Sequence, residues 1–429
     1  MCLDLNMSLF HESFEIKGEN LFFDGFNLYE LAQKHGTPLL VTSEKRLRNN
    51  YRTLFNAFTR HYRNIQINYA LKANANPAIV CALAQEGCGA DVSSPFELAL
   101  ARFCGVPVQK TIFSPNYASL EELMFGVESG AILNFDDIEQ FRLIPKSPEV
   151  VSFRVNPGFG KGEFQGVVTA GPEAKFGVPA DRVIAGYELA LKRNVKRFGI
   201  HAMVGSNVLD PSHFERVTRA VVECALEVKR KLSVNFEFVD IGGGFGVPYK
   251  PTEERLNVEE VARRVTKIVR ESGLGNPTLI LEPGRYLVAD TTILLTKVNH
   301  VKNYTKTFVG VDCGMNVLIR PALYGAYHHI VVVNKMDQPV RVKANVVGQI
   351  CENTDVLGTD VQLPEVNRGD VLAILNAGAY VYAMSSQYNL RPRPKELLID
   401  REGRVHVIRQ AEEWCDMVRH TNVPPHLLP

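Results

Sequence analysis

The sequence has eight cysteines in 429 residues (Cys2, Cys81, Cys88, Cys104, Cys224, Cys313, Cys351 and Cys415) but no C-x-x-C pair. Without that spacing a finger- or ribbon-type zinc site is excluded, and no metal is expected. The first residues, MCLDLNMSLFHESFEIKGE, lack the basic start and apolar stretch of a secretory leader. No disulfide framework is therefore expected, and most of the thiols read as small hydrophobes in a reducing, cytoplasmic setting. No apolar run reaches the roughly 18 residues of a membrane span. Excess charge is missing too: 48 basic residues face 47 acidic ones, for a net +1. That balance gives no electrostatic reason to expect nucleic acid or an anionic membrane as partner. What remains is 45% hydrophobic, an ordinary globular composition on a chain long enough for two or three domains.

Between residues 37 and 287 short apolar or β-branched runs alternate with stretches of helical period. The strand candidates are QINYAL (66–71), GADVSS (89–94), KTIFSP (110–115), GAILNF (130–135), VVSFRV (150–155), FGIHAMV (198–204), EFVDIG (237–242) and TLILEP (278–283). Helix starts between them carry chemical marks. Asn76-Pro77 offers a cap followed by proline at the first helical position, and Ser94–Glu97 and Ser119–Glu122 have capping-box spacing. Alternation of this kind predicts a parallel sheet, and eight units favour a closed (β/α)8 barrel over an open doubly wound sheet. After residue 287 the rhythm becomes strand–turn–strand, which predicts a β-rich second domain over 288–429. Residues 1–36, with FEIKGENLFFDG as a hairpin, are assigned to the same domain. The glycine-rich segment 156–177 reads as a long loop at the barrel mouth.

Barrel chemistry sits at the C-terminal ends of the strands. The residues placed there are Lys72, Asp91, Arg154, Asn156, His201 with Ser206, Gly242-Gly243-Gly244, and Glu282-Pro283-Gly284-Arg285. Lys72 ends an apolar run, so a buried amine is expected. Consecutive glycines let backbone N–H groups approach an oxyanion, which suits a phosphate. A dinucleotide fold is disfavoured, because VPYKPTEE puts prolines where the phosphate-binding helix would begin. A buried amine able to condense with an aldehyde, a phosphate loop and a carboxylate for a ring nitrogen together suggest pyridoxal phosphate on Lys72, with Glu282 facing the ring. A local Glu282–Arg285 ion pair closing a tight turn is the structural alternative.

Seven ordered segments then resemble one family: YALKAN, FRVNPGFGKG, IGGGFGVPY, LEPGRYLVA, VDCGMNVLIRPALYGAYHHI, CENTD and NAGAYVYAMSSQYNLRPRP. Across nearly the whole chain the sequence is similar to the fold-type III pyridoxal-phosphate decarboxylases, their diaminopimelate branch in particular. The resemblance implies an α/β fold with an alanine-racemase-like barrel plus a β-domain fed by both chain ends. It also implies a homodimer whose active sites are shared across the interface. By this likeness Lys72 forms the Schiff base, and Asp91, His201, Ser206, Gly243, Gly244, Glu282, Pro283, Gly284, Arg285 and Tyr380 contact the cofactor. Arg285, Arg320, Tyr324, Glu352 and Tyr380 stand at substrate positions, and Cys351 stands at the position of a proton donor reaching the neighbouring subunit's site. The activity implied is decarboxylation of meso-2,6-diaminopimelate to L-lysine and CO2. A lysine- or ornithine-like substrate, or a cofactor-binding paralogue without turnover, are the alternatives. A guanidinium at Arg320 suits a second substrate carboxylate, which ornithine and lysine lack. One departure stands out: where the family has H-x-H-I-G-S, this chain has His201-Ala202-Met203-Val204-Gly205-Ser206. A thioether therefore stands in the place of a stacking imidazole, able to pack on a ring but not to carry charge.

Overall fold

The computed structural model describes residues 9–164, 166 and 168–428. Residues 1–8, which open the segment assigned to the second domain and include Cys2, lie outside the described residues. The chain divides into two compact units, one made of residues 46–248 and 253–289, the other of residues up to 45, 249–252 and 290 onward.

In the first unit eight parallel strands close on themselves, as the alternation predicted. They are β1 (Ile65–Ala70), β2 (Gly89–Val92), β3 (Thr111–Phe113), β4 (Ile132–Phe135), β5 (Val150–Asn156), β6 (Arg197–His201), β7 (Phe236–Asp240) and β8 (Thr278–Leu281). Each pairs with the next in sequence, and β8 returns to β1 with Leu279 opposite Ile65. The strands are buried on both faces, β5 through all but its last residue, as a sheet wrapped in helices requires. The helices show matching stripes. In Val258–Glu271 the buried side chains are Val261, Ala262, Val265, Thr266 and Val269, while Glu260 turns outward to Arg263 and Arg264.

The caps read from the sequence are present. Asn76 accepts from Ala78 N–H, and Ser119 and Glu122 form a reciprocal capping box, while Ser94 accepts from Glu97 N–H but the Glu97 carboxylate returns to Ser93 N–H in place of Ser94. Between sheet and helices Phe153 meets Phe135, Phe141 and Tyr187 at ring separations of 5.8, 5.9 and 5.2 Å. Its ring is wholly buried. Phe153→Ala should cost about 3–5 kcal/mol by lost burial and residual cavity, read as a lowered denaturant midpoint at unchanged m. A loss below about 1 kcal/mol would mean the cluster collapses to fill the space.

The second unit is built on Thr292–Asn303, a twelve-residue strand. It pairs with Thr307–Val311, Val371–Ile374 and Leu39–Ser43, and the last of these pairs in parallel with Lys395–Ile399. Alternation along the strand splits the core. Ile293 and Leu295 pack with Leu39, Val41 and Leu397 on one face, and Leu294 packs with Leu40, Leu372 and Ile374 on the other. The hairpin expected near the start is present as Phe14–Lys17 against Asn20–Phe23. The boundary differs from the one expected at residue 37, because Leu39–Ser43 is a strand of this sheet and not a prelude to the barrel. A short buried run such as LLVTS looks the same in either setting, and only its pairing partners distinguish them.

Candidate active site

β1 runs into a single 3-10 turn, Leu71–Ala73, whose flanking residues are buried. That turn lifts Lys72 off the strand, leaving its side chain 42% exposed with Nζ donating to Asp91 Oδ2 at 2.8 Å. The dry amine expected from the apolar run is thus corrected. The backbone around it is buried, while the partly exposed side chain turns its ammonium to an acid at the end of β2. Asp91 is itself buried, and its carboxyl is raised by that burial and by the nearby charge of Glu282, with Lys72 acting in the opposite direction.

Glu282, one residue past β8, is buried and accepts from His201 Nε2 at 3.0 Å. His201 ends β6, and its Nδ1 lies 3.0 Å from Asn134 Nδ2 on β4. Asn134 Oδ1 in turn accepts from Ser152 Oγ on β5. With the amide so oriented Nδ1 is an acceptor, so the imidazole donates its Nε2–H to Glu282. Burial alone would push the Glu282 carboxyl up. The opposing His201 and Lys72, with the neighbouring Asp240 carboxyl acting in the same direction, outweigh it and hold the group low. Asp240, the last residue of β7, goes the other way: burial first, then the charge of Glu282, raise it well above the usual carboxylate range. Oxygens of these two acids and a nitrogen of His201 lie within 4.8 Å of one another.

The triglycine turn packs against this group. A side chain on Gly243 would bring its Cβ to 2.3 Å from Glu282 O, and Gly244 has φ +88° with Gly205 O in the way at 2.9 Å. Two of the three N–H groups are taken within the unit, Gly242 N–H by Asp240 Oδ1 at 2.8 Å and Gly243 N–H by Met203 Sδ at 3.1 Å. The picture of consecutive free donors for a phosphate therefore narrows to Gly244. Met203 fills its site by accepting a backbone hydrogen bond, a use that a thioether can serve. In the E-P-G-R turn Glu282 N–H donates to Gly242 O, and Pro283 O accepts from Ala70 N–H, so the turn is strapped to the strand end on either side. Arg285 opens a four-residue helix and reaches Ser206 Oγ at 3.5 Å.

The long loop lies over the same mouth. Arg154 stacks on Phe176 at 4.6 Å and donates to Thr169 O, Thr169 Oγ1 donates to Met203 O, and Asn156 binds Gly158, Gly171 and Phe176 main-chain groups.

The remaining predicted residues lie in the second unit. Arg320 is 2% exposed, donates to His328 Nε2 at 2.8 Å and lies 4.7 Å over the Tyr249 ring. His328 Nδ1 sits 2.9 Å from Leu375 O, which fixes its Nδ1–H tautomer, so a neutral imidazole braces the guanidinium without cancelling its charge. Tyr324 closes the short helix Arg320–Tyr324, and Tyr380 holds φ +59°, a strained conformation for an aromatic residue. Cys351 is exposed, and its Sγ accepts from Asn389 Nδ2 at 3.1 Å. Glu352 accepts from Tyr388 Oη and from Thr354 Oγ1. Sequence reasoning missed Asn134, Asp240, Tyr249, His328 and Asn389 as members of these clusters. The last three did fall inside quoted motifs (IGGGFGVPY, YGAYHHI and QYNLRPRP).

The comparisons with known proteins point one way. Residues 48–289 match the family described as pyridoxal-dependent decarboxylase, pyridoxal binding domain. A diaminopimelate decarboxylase from Methanothermobacter thermautotrophicus is 44% identical over 95% of this chain and 97% of its own. Another from Thermoplasma acidophilum is 40% identical over 92% and 95%. A solved structure of a diaminopimelate decarboxylase from Methanocaldococcus jannaschii, in complex with L-lysine, superposes with a TM-score of 0.90 at 36% identity, covering 97% of this chain and 99% of that one.

Proposed function

We propose, from the premise that this chain belongs to the pyridoxal-dependent decarboxylases, that it converts meso-2,6-diaminopimelate to L-lysine and CO2 in lysine biosynthesis, in the cytoplasm. The observation that carries the reading is Glu282, a buried anion at the barrel mouth whose Oε1 has no hydrogen-bond partner among the described residues. Each carboxylate oxygen carries two lone pairs, so this buried anion keeps an acceptor site for the N–H of a protonated ring nitrogen, whatever else it accepts. When bound, pyridoxal phosphate supplies an aldehyde for an amine and a ring that accepts the electron pair left by departing CO2. The chain's own parts divide the rest. Lys72 Nζ is the amine offered to the aldehyde, and Asp91 Oδ2 fixes its direction. Glu282 and His201 hold the ring nitrogen's proton in place. Gly244, Ser206 and Arg285 stand where a phosphate would be received. Arg320, held rigid by His328 and Tyr249, offers a guanidinium to the distal carboxylate, with Tyr324, Glu352 and Tyr380 around the substrate. Cys351 Sγ carries the proton that replaces CO2.

A homodimer belongs to this reading. Beside the exposed Cys351, Tyr388 is 42% and Leu390 60% exposed, an apolar margin suited to cover by a second copy. The thiols of the described residues are free, in keeping with a reducing compartment.

CO2 release from a panel of meso-diaminopimelate, L-lysine and L-ornithine tests the substrate. Turnover of either of the last two in preference to the first would sink it. Arg320→Ala should lower kcat/KM for diaminopimelate by roughly 30-fold or more, the size of leaving a charged partner unpaired. Its cofactor absorbance should be unchanged. Equal loss of both would make Arg320 structural.

A further inference from the structure

Asp240 is wholly buried, and its two oxygens are used unequally. Oδ1 accepts from Gly242 N–H in a tight local turn, while Oδ2 has no partner among the described residues. The other buried oxygen of this cluster in that state is Glu282 Oε1. Two carboxyls buried this close cannot both be ionised, so the pair keeps a proton. Glu282 has His201 Nε2–H and the charge of Lys72 to stabilise its anion. Asp240 has one backbone N–H. The proton therefore belongs on Asp240.

We propose that Asp240 is a positioning residue for Glu282: uncharged, it donates its acid proton from Oδ2 to Glu282 Oε1. Each carboxylate oxygen has two lone pairs, so Glu282 can take Asp240, His201 and a ring nitrogen together. A carboxylate whose charge is already spread over two donors is a weaker base. It accepts the ring nitrogen's hydrogen bond without drawing the proton off, and the ring stays cationic. The inference rests on the reading that Glu282 faces that ring.

The test uses holoenzyme loaded with cofactor labelled with 15N in the ring, followed by NMR, alongside kcat. Asp240→Asn keeps a donor in the same place, and its ring-nitrogen signal should stay at the wild-type, protonated position. Asp240→Ala removes the donor. Its signal should move toward unprotonated nitrogen, and kcat should fall about tenfold to a hundredfold, as expected of a lost hydrogen bond to a charged group. If Asp240→Asn shifts the signal as far as Asp240→Ala does, the acid acts as a carboxylate and the proposal is wrong. It is equally wrong if neither variant moves the signal. Should Asp240→Ala not fold, a shifted signal in Asp240→Asn alone overturns the proposal, and an unshifted one supports it. Glu282→Ala separates the two levels: an unmoved signal there would overturn the parent reading instead.

Discussion

Lys72→Ala should abolish the visible absorbance of the lysine-bound cofactor and reduce CO2 release by roughly 10³-fold or more, as loss of a covalent nucleophile does. The amine's setting gives the reason. It leaves the barrel on a single 3-10 turn and is aimed by one buried acid, Asp91. Removing it also strips Asp91 of its cation, and a buried carboxylate so left takes up a proton. Lys72→Ala thus changes two things at once, and Lys72→Arg separates them. A guanidinium can still pair with Asp91 but stays protonated and cannot condense with an aldehyde. Lys72→Arg should therefore keep the wild-type thermal midpoint more nearly than Lys72→Ala while being as inactive. Retained absorbance in either variant would show that another amine holds the cofactor.

Local chemistry made much of this legible beforehand. The eight barrel strands lie within about two residues of their apolar runs at their starts, because parallel strands buried on both faces read as continuous hydrophobic stretches. The residues at their ends follow from topology once the barrel is recognised, which is how Lys72, Asp91, His201 and Glu282 could be named together. What the residues did not disclose was pairing across the chain. Asp240 went unnamed inside the run EFVDIG, and its meaning comes from Glu282, forty-two positions away (282 − 240). His201 drew attention, but Asn134, which sets its tautomer, lies on another strand with no marker around it. The boundary expected at residue 37 differs for a like reason: Leu39–Ser43, LLVTS, carries no record of which sheet it joins. Lys72 was misjudged on burial because a one-turn deviation at the strand end decides whether a side chain is sealed in the core or left partly exposed beside it.

Cys351→Ala should slow turnover by about 10²–10⁴-fold, the range for loss of a positioned proton donor, while leaving cofactor absorbance intact. Its Sγ lies 3.1 Å from Asn389 Nδ2 and 3.5 Å from Asn389 Oδ1, so one amide fixes the thiol's direction, and Glu352 beside it is fixed by Tyr388 and Thr354. Measuring lysine and CO2 separately sharpens the result. If the thiol places the proton, the variant should form less lysine per CO2 released, whereas a structural cysteine would lower both in step. Mixing then tests whose site the thiol serves. In a C2 dimer with shared sites, a Lys72→Ala chain paired with a Cys351→Ala chain has one site carrying both lesions and one carrying neither. Random reassembly of the two inactive variants should restore about a quarter of wild-type activity, since half the dimers are mixed and half their sites are whole. No recovery, with mixed dimers confirmed by mass, would place Cys351 in the service of its own chain and refute the shared site.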